Sequence, residues 1–121
     1  MAKDLKISFL LDFYGDMLTD KQREVIDYYY NDDLSLSEIA ENEGITRQGV
    51  RDAIKRAEAQ LLEMEERLGY AARYQTVSEG LKTIRDAADR IRDYNDHYSC
   101  SREIGESAER ILNIVRELTE K

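Results

Sequence analysis

One short stretch of the sequence concentrates side chains that suit the recognition of nucleic acid. It begins at Thr46 and continues with Arg47, Gln48, Arg51 and Lys55. Arginine and glutamine pair with the edges of guanine and adenine in a major groove. A threonine at the start of a helix, together with the first backbone amides, can bind a phosphate. We therefore predict a nucleic-acid-binding site at these five residues.

The residues around this stretch have the spacing of a helix-turn-helix unit. Ala40 is small where two helices would cross, and Gly44 lies where a tight turn favours a left-handed backbone. The positions expected to pack the two helices against their support are apolar: Ile39, Ile45, Val50 and Ala53. Thr46 would then start the recognition helix, which the motif delivers to the major groove.

Two residues depart from the usual pattern. Glu43 stands just before the turn glycine, where an apolar residue is more common. We expect this glutamate either to weaken the local core or to point its carboxylate outward. Gly49 lies inside the predicted recognition helix, where glycine costs about 1 kcal/mol relative to alanine. The spacing gives no firm reason for this glycine, although a close approach to DNA or to a partner would explain it.

The basic side chains of this helix could also be ordinary solvent-facing residues with no binding role. Val50, Ile54 and Ala57 are expected to face inward, so Arg51 and Lys55 face outward on any amphipathic helix. Charged stripes of this kind are common on solvent-facing surfaces. The position directly after a helix-turn-helix turn favours the functional interpretation, because this is the face that enters the groove. Both interpretations remain open from the residues alone.

The overall charge excludes one class of nucleic-acid-binding protein. The chain has 121 residues, with 18 basic and 26 acidic side chains and a formal net charge of −8. Its affinity for nucleic acid cannot come from bulk positive charge, which dominates non-specific binding. Residues 46–57 are an exception, because four basic residues there accompany Asp52 alone and give a local net charge of +3.

Few residues offer chemistry other than binding. Cys100 and His97 are the single cysteine and the single histidine, so they cannot build a closed zinc site. No nucleophile–base pair or phosphate loop is recognisable, and we expect neither an enzyme nor a cofactor. Charged residues interrupt the N-terminal segment, and no apolar run approaches the ~20 residues that a membrane-spanning helix needs. We expect a cytoplasmic protein without membrane insertion.

Apolar periodicity and capping signals predict an all-α fold. A first helix is expected over about residues 4–14. Later helices should begin at the capping boxes Thr19–Gln22 and Ser35–Glu38 and at the cap Thr46, and helices should stop at Gly15, Gly44 and Gly69. The residues expected to face inward are Ile7, Leu10, Leu11, Tyr14, Leu18, Val25, Ile26, Tyr29, Val50, Ile54, Ala57 and Leu61.

The second half of the chain follows a heptad pattern. Its apolar positions are Tyr70, Tyr74, Val77, Leu81, Ile84, Ala88 and Ile91, and then Ile104, Ala108, Ile111, Val115 and Leu118. The polar stretch 95–101 separates the two series, which is typical of an antiparallel helical hairpin. We expect a helix-turn-helix domain over 1–69 and a hairpin over 70–121 that serves dimerisation or packing.

The width of the last apolar stripe favours a homodimer. Leu112 and Ile114 broaden the stripe beyond one seam, and a broad stripe is typical of a helix with more than one packing partner. A dimer would also supply the two recognition helices that two half-sites require. The alternative is a monomer whose hairpin folds back onto residues 1–68.

Three segments resemble a known family. They are LDFYGDMLTDKQR at 11–23, SLSEIA at 35–40 and TRQGVRDAIKR at 46–56, and they look like the YlxM family of small bacterial helix-turn-helix proteins. The genes of that family stand beside the gene for the signal recognition particle GTPase. The resemblance covers about residues 5–70, and the body is also similar to region 4 of sigma factors. It implies an all-helical fold, a regulatory role and participation in the signal recognition particle pathway.

Two functions therefore remain open. The first is a regulator that binds nucleic acid, either DNA or the RNA of the targeting particle. The second is a protein-binding accessory module of the targeting machinery without DNA readout. Its contact surface would be the acidic first half, with Asp12, Asp16, Asp20, Asp27, Asp32 and Asp33 facing a basic partner. Those aspartates also have a simpler explanation as helix caps and solubilising surface.

Overall fold

The computed structural model describes residues 2–120. This part of the chain is all-α, as the sequence predicted, and contains no strand. The helices are α1 Leu5–Tyr14, α2 Asp20–Tyr30, α3 Leu36–Glu43, α4 Arg47–Leu68, α5 Tyr70–Tyr94 and α6 Arg102–Thr119. A 3₁₀ turn, Gly15–Met17, follows α1, and a π-helical turn, Asn95–Ser99, follows α5. None of the described helices is long and apolar enough to span a membrane.

The chain divides by its contacts into two compact units. The N-terminal unit ends at Ala71 and the C-terminal unit begins at Ala72, so the first residues of α5 belong to the former. The assignment of residues 70–121 as a dimerisation or packing extension stays a prediction.

The predicted capping signals open the helices of the N-terminal unit. Thr19 and Ser35 each accept a hydrogen bond from the backbone N–H three residues later, and Gln22 and Glu38 complete both capping boxes. These bonds satisfy amides that have no partner inside a helix. At the other end, Gly69 terminates α4 with φ +64°, a conformation that favours glycine.

Helix α4 connects the two apolar clusters of the N-terminal unit. Its first half places Val50 and Ile54 in a cluster with residues of α2 and α3. Its second half places Ala57 and Leu61 against α1 and Ile26. The residues predicted to face inward on α1 and α2 are buried, and so are Val50, Ile54, Ala57 and Leu61 of α4. Because the same helix is packed along both halves, its N-terminal end has a fixed position relative to the unit.

Gly15 is the predicted stop of α1, and its backbone there is right-handed. Helix α1 does end at Tyr14, but Gly15 has φ −53° and continues as a right-handed turn. A Cβ on this glycine would lie 3.4 Å from the Arg23 guanidinium carbon and 3.4 Å from a Leu11 methyl group. A side chain at this position would therefore contact the Arg23 and Leu11 side chains at ordinary distances, and the backbone needs no left-handed conformation.

The C-terminal unit is a helical hairpin closed by an asparagine. The buried Asn95 side chain donates to the Ser101 carbonyl at 2.8 Å and accepts from the Ser101 N–H at 2.9 Å. Gly105 packs on the same side chain, since a Cβ there would lie 3.3 Å from Asn95 Nδ2. Arg92 of α5 forms an ion pair with Glu109 of α6 at 3.3 Å. These contacts confirm an antiparallel hairpin, and a π-helical turn occupies most of the polar stretch 95–101.

The predicted heptad seam of the hairpin is only partly correct. Ala88, Ala108 and Val115 are buried, together with Leu112 from outside the predicted series. Most of the larger predicted seam residues are 38–65% exposed: Val77, Ile84, Ile91, Ile104, Ile111 and Leu118. The buried seam consists of Ala88, Ala108, Leu112 and Val115, with the Arg92–Glu109 pair beside it, so the exposed apolar side chains lie outside the seam.

Candidate nucleic-acid interface

Helices α3 and α4 and the turn between them form the predicted helix-turn-helix. Gly44 has φ +67°, and its N–H donates to the Ala40 carbonyl. The Ile45 N–H donates to the same carbonyl at 3.1 Å. Ile39 of α3 and Val50 of α4 are fully buried in one cluster, which holds the two helices together. The turn therefore presents the start of α4 at the surface of the unit.

Thr46 is the N-cap of α4. Its side-chain oxygen accepts a hydrogen bond from the Gly49 N–H at 2.9 Å. The hydroxyl hydrogen is still able to donate, because the capping bond uses only the oxygen. The residue is exposed, so a phosphate oxygen could reach both this hydroxyl and the end of the helix dipole.

The predicted basic residues lie together on the exposed side of α4. The opposite side is fully buried along Val50, Ile54, Ala57 and Leu61. Arg47, Arg51 and Lys55 follow one another at intervals of four residues, and all three are exposed. Residues four apart on a helix are neighbours on one face. The structure thus places these three side chains in one row that starts beside the turn.

Gln48 lies beside this row and has an intramolecular partner. Its amide nitrogen donates to Asp52 Oδ1 at 3.0 Å. This bond orients the glutamine side chain and brings one negative charge next to the basic row. Asp52 therefore competes with a nucleic-acid base for the glutamine amide, and it opposes the approach of phosphates.

The basic row differs in its pairing from Lys3, Lys21 and Arg23 of the same unit. Within the described part of the chain, Arg47, Arg51 and Lys55 form no ion pair. Elsewhere, Arg23 pairs with Asp16 and with Asp27, Lys3 pairs with Asp33, and Lys21 pairs with Glu43. The charges of the row are thus available to an external anion.

The Glu43 side chain does not point outward, which was one of the two expectations for its position. Its side chain is only 5% exposed and forms an ion pair with Lys21 of α2, which is 64% exposed. The hydrogen bond from Lys21 lowers the pKa of the Glu43 carboxyl, and burial opposes that change. The carboxylate neither points outward nor lies unpaired in the core. The ion pair connects the end of α3 to α2, the helix against which α3 and α4 both pack.

Ile45 and Gly49 lie on either side of the Thr46 cap along the chain. Ile45 was predicted to pack in the core, but it is 42% exposed. A Cβ on Gly49 would lie 3.2 Å from the Thr46 hydroxyl and 3.6 Å from Ile45 Cδ1. Glycine therefore leaves room for the capping hydroxyl, whereas Ile45 would be only in ordinary contact with a Cβ. Ile45 lines a shallow surface groove with Val25 of α2 and Ala53 of α4, and it does not fill the core.

Arg56 is a basic residue that the site prediction missed. It is exposed, and it borders a shallow groove that Lys21, Ile45 and Ala53 also line. The local net charge of +3 over 46–57 already included this arginine. Its face could not be assigned from the sequence, because the groove is completed by α2.

The acidic surface is partly neutralised within the unit. Asp16 and Asp27 pair with Arg23, and Asp33 pairs with Lys3. The remaining members of the predicted acidic set are exposed and form no ion pair among the described residues: Asp12, Asp20 and Asp32. The surface for a basic partner is therefore smaller than the sequence indicated.

The single histidine and the single cysteine lie around the hairpin turn. His97 Nδ1 is 2.7 Å from the Asp93 carbonyl oxygen, and the exposed Cys100 carries a free thiol. Cys100 has φ +47°, and its N–H donates to the Asn95 carbonyl to close the π-helical turn. Across residues 2–120, no group of three or more histidine, cysteine or carboxylate side chains could hold a metal ion.

Comparison with known proteins agrees with this architecture. A family model described as "Putative helix-turn-helix protein, YlxM / p13 like" (UPF0122) matches residues 1–110. A UPF0122 protein of Halalkalibacterium halodurans is 47% identical over 90 residues, which cover 74% of this chain and 83% of that protein. A UPF0122 protein of Desulforamulus reducens is 38% identical over 116 residues, which cover 96% of this chain and 92% of that protein.

Proposed function

Because the chain belongs to the YlxM / p13-like family of helix-turn-helix proteins, we propose that it is a cytoplasmic regulatory protein that binds nucleic acid. The contact is made by Thr46, Arg47, Gln48, Arg51 and Lys55 at the start of α4. The protein acts by binding and has no catalytic role. It works as a homodimer, since two recognition helices fit two half-sites.

The row of Arg47, Arg51 and Lys55 is the observation that supports this proposal most directly. The three side chains are exposed, unpaired among the described residues and adjacent to a helix-turn-helix turn. The side chains that contact bases come from the N-terminal part of such a helix. With a net charge of −8 over the whole chain, few phosphates are neutralised. Binding should therefore be modest and sensitive to salt.

The nucleic acid is either duplex DNA or a structured RNA of the signal recognition particle. Similarity of the body to sigma-factor region 4 favours DNA. Resemblance to proteins whose genes stand beside that of the particle's GTPase favours the RNA. Arg47 and Gln48 would read base edges in a DNA groove, whereas an RNA helix would be contacted mainly through phosphates and 2′-hydroxyls.

A titration at low salt with labelled duplex DNA and with the particle's RNA tests the proposal. Replacing Arg47 and Arg51 by Ala together should weaken binding by about 2–4 kcal/mol if at least one of them reads a base. The matched control replaces Arg67 and Arg73, which removes the same charge at the far end of α4 and on α5. If the control loses as much affinity as the test variant, the contact is not at the start of α4.

The second candidate function is an accessory module that binds a protein of the targeting machinery. The exposed, unpaired Asp12 and Asp20 favour it, because a basic partner would find them accessible. Its test compares binding of purified signal recognition particle, and of its GTPase alone, to two variants. One variant carries Asp12→Lys and Asp20→Lys, and the other carries Arg47→Ala, Arg51→Ala and Lys55→Ala.

The two variants separate the two functions. Loss of GTPase binding in the aspartate variant alone would support the accessory module. Loss in the basic-row variant alone would assign the contact to nucleic acid. Asp12 and Asp20 suit this comparison better than Asp16, because reversing Asp16 would also break its ion pair with Arg23.

A further inference from the structure

The hairpin of the C-terminal unit carries a second heptad stripe on each helix, and both stripes are exposed. On α5 the stripe consists of Val77, Gly80, Ile84, Ala87, Ile91 and Tyr94. On α6 it consists of Ile104, Ser107, Ile111, Ile114 and Leu118. Successive members are alternately three and four residues apart, which is the spacing of a helix that packs along another helix.

Both stripes lie on one face of the hairpin. Ile91 of α5 lines a shallow groove with Ile104 and Ile111 of α6. Ile91 and Tyr94 line an adjoining groove with Ile104. The seam inside the hairpin uses other residues, such as Ala88 and Leu112, which are buried. Each helix therefore has one occupied seam and one exposed seam, as a helix has in one half of a four-helix bundle.

We propose that this face joins a second copy of the same chain to form an antiparallel four-helix bundle. In this bundle a two-fold axis places α5 against α5 and α6 against α6 of the second copy. The bundle rests on the homodimer of the proposed function, and the exposed stripes of α5 and α6 are the surface through which the two copies meet. It requires nothing from the N-terminal unit.

The sizes of the α5 side chains fit this arrangement. When two copies of the α5 stripe run in opposite directions about a centre between Arg85 and Asp86, each bulky residue faces a smaller one. Ile91 faces Gly80 of the second copy and Ile84 faces Ala87 of the second copy. A Cβ on Gly80 would meet no atom within 4 Å in the single chain. The glycine thus leaves a space that an isoleucine of the second copy fills.

The α6 stripe is compatible with the same axis. Antiparallel pairing about a centre near Leu112 and Asn113 places Leu118 opposite Ser107 of the second copy, and Ile111 opposite its Ile114. The contacts of Arg92 with Glu109 and of Asn95 with Gly105 fix the register inside the hairpin. In that register the centres on α5 and α6 lie less than one helical turn apart, so one axis can generate both seams.

Charges along the border of the α6 stripe support a copy of the same helix as the occupant. Glu103, Arg110 and Glu117 follow one another at intervals of seven residues and alternate in sign. None of them has an ion-pair partner among the described residues. In the antiparallel arrangement Arg110 lies beside Glu117 of the second copy, and the symmetry makes the same pair twice. Such pairs set the orientation and partner choice of packed helices.

Sedimentation equilibrium on the full chain, without nucleic acid, tests the surface. The wild type should behave at micromolar concentration as a species of twice 14.1 kDa. Ile84→Asp with Ile111→Asp should raise the dimer dissociation constant at least about 30-fold while the helical circular dichroism is retained, because both residues are half exposed in the single chain. Leu5→Asp is the matched control, since Leu5 is 88% exposed outside this face, and it should remain dimeric.

Two further variants test the register. Gly80→Leu should favour the helix of the single chain but block the dimer, because the leucine would occupy the space of Ile91 from the second copy. Arg110→Glu should weaken the dimer several-fold, and Arg110→Glu with Glu117→Arg should restore it. A monomeric wild type would overturn the inference, and so would a dimer that persists in the Ile84→Asp, Ile111→Asp variant. Nucleic-acid binding is not measured, so a dimer that binds no nucleic acid contradicts only the proposed function.

Discussion

The hydroxyl of Tyr14, at the end of α1, donates a hydrogen bond to the Glu65 carboxylate of α4 over 2.7 Å. The same carboxylate oxygen accepts the Ala71 N–H at 3.0 Å. Burial and the bond to Glu65 raise the pKa of Tyr14. One carboxylate thus joins the first helix, the long helix that carries the basic row, and the start of α5.

Removing the Tyr14 hydroxyl should test the strength of this connection. Tyr14→Phe should lower the free energy of unfolding by about 1–3 kcal/mol, because a part-buried carboxylate loses one of its donors. Urea denaturation at pH 7 measures the change. Tyr28→Phe is the control, since the Tyr28 hydroxyl is 3.5 Å from Glu24 near the surface, and it should cost less than about 0.5 kcal/mol. Equal losses of unfolding free energy in both variants would show that the Tyr14–Glu65 bond stabilises the fold no more than a surface hydroxyl does.

The Glu43–Lys21 pair should make the free energy of unfolding depend on pH in the acidic range. The pKa of Glu43 is lowered in the folded state, so the unfolded state binds more protons as the pH falls towards the ordinary glutamate range. Stabilisation by this carboxylate is therefore complete above about pH 5 and is lost as the pH falls through the folded pKa.

Comparison with Glu43→Gln isolates this contribution. The free energy of unfolding of the wild type should exceed that of Glu43→Gln at pH 7, and the difference should shrink between about pH 5 and pH 3. Glu41→Gln on the exposed side of α3 should show no such convergence. A difference that is independent of pH would mean that the glutamine disturbs packing and not a charge.

Removing the negative charge of Asp52 should strengthen nucleic-acid binding. Asp52→Asn lowers the repulsion of phosphates and weakens the hold on the Gln48 amide, so affinity should rise about twofold to tenfold at low salt. Competition for labelled duplex DNA across a salt series provides the measurement. Glu63→Gln, which removes one charge near the far end of α4, is the control and should have little effect. A loss of affinity would indicate that Asp52 orients Gln48 for the contact.

The contribution of Thr46 to helix stability should be separable from its contribution to nucleic-acid affinity. Thr46→Ala removes the acceptor of the Gly49 N–H and should cost about 1 kcal/mol of stability. Thr46→Ser keeps a hydroxyl and should preserve both stability and binding. Thr46→Gly should cost only a few tenths of a kcal/mol, because glycine is itself a good N-cap. If Thr46→Gly nevertheless loses nucleic-acid affinity, the hydroxyl contacts the ligand.

Local signals explain why much of the fold was predictable. The caps at Thr19, Ser35 and Thr46 and the left-handed turns at Gly44 and Gly69 depend on residues within four positions along the chain. The buried positions of α1, α2 and α4 follow from helical periodicity, because one side of a surface helix must be apolar. The row of Arg47, Arg51 and Lys55 was predictable for the same reason, as it lies opposite the buried side.

The remaining features depended on which helices meet. Glu43 is acceptable before the turn because Lys21, distant in sequence, reaches it from α2. Ile45 is 42% exposed because it lies in a surface groove between α2 and α4. On α5 and α6 the heptad pattern predicts which residues are apolar, but Ala88, Ala108, Leu112 and Val115 form the buried seam, so several larger side chains of the pattern remain exposed. Periodicity determines that a helix has an apolar side, whereas only tertiary contacts decide which part of that side is already covered.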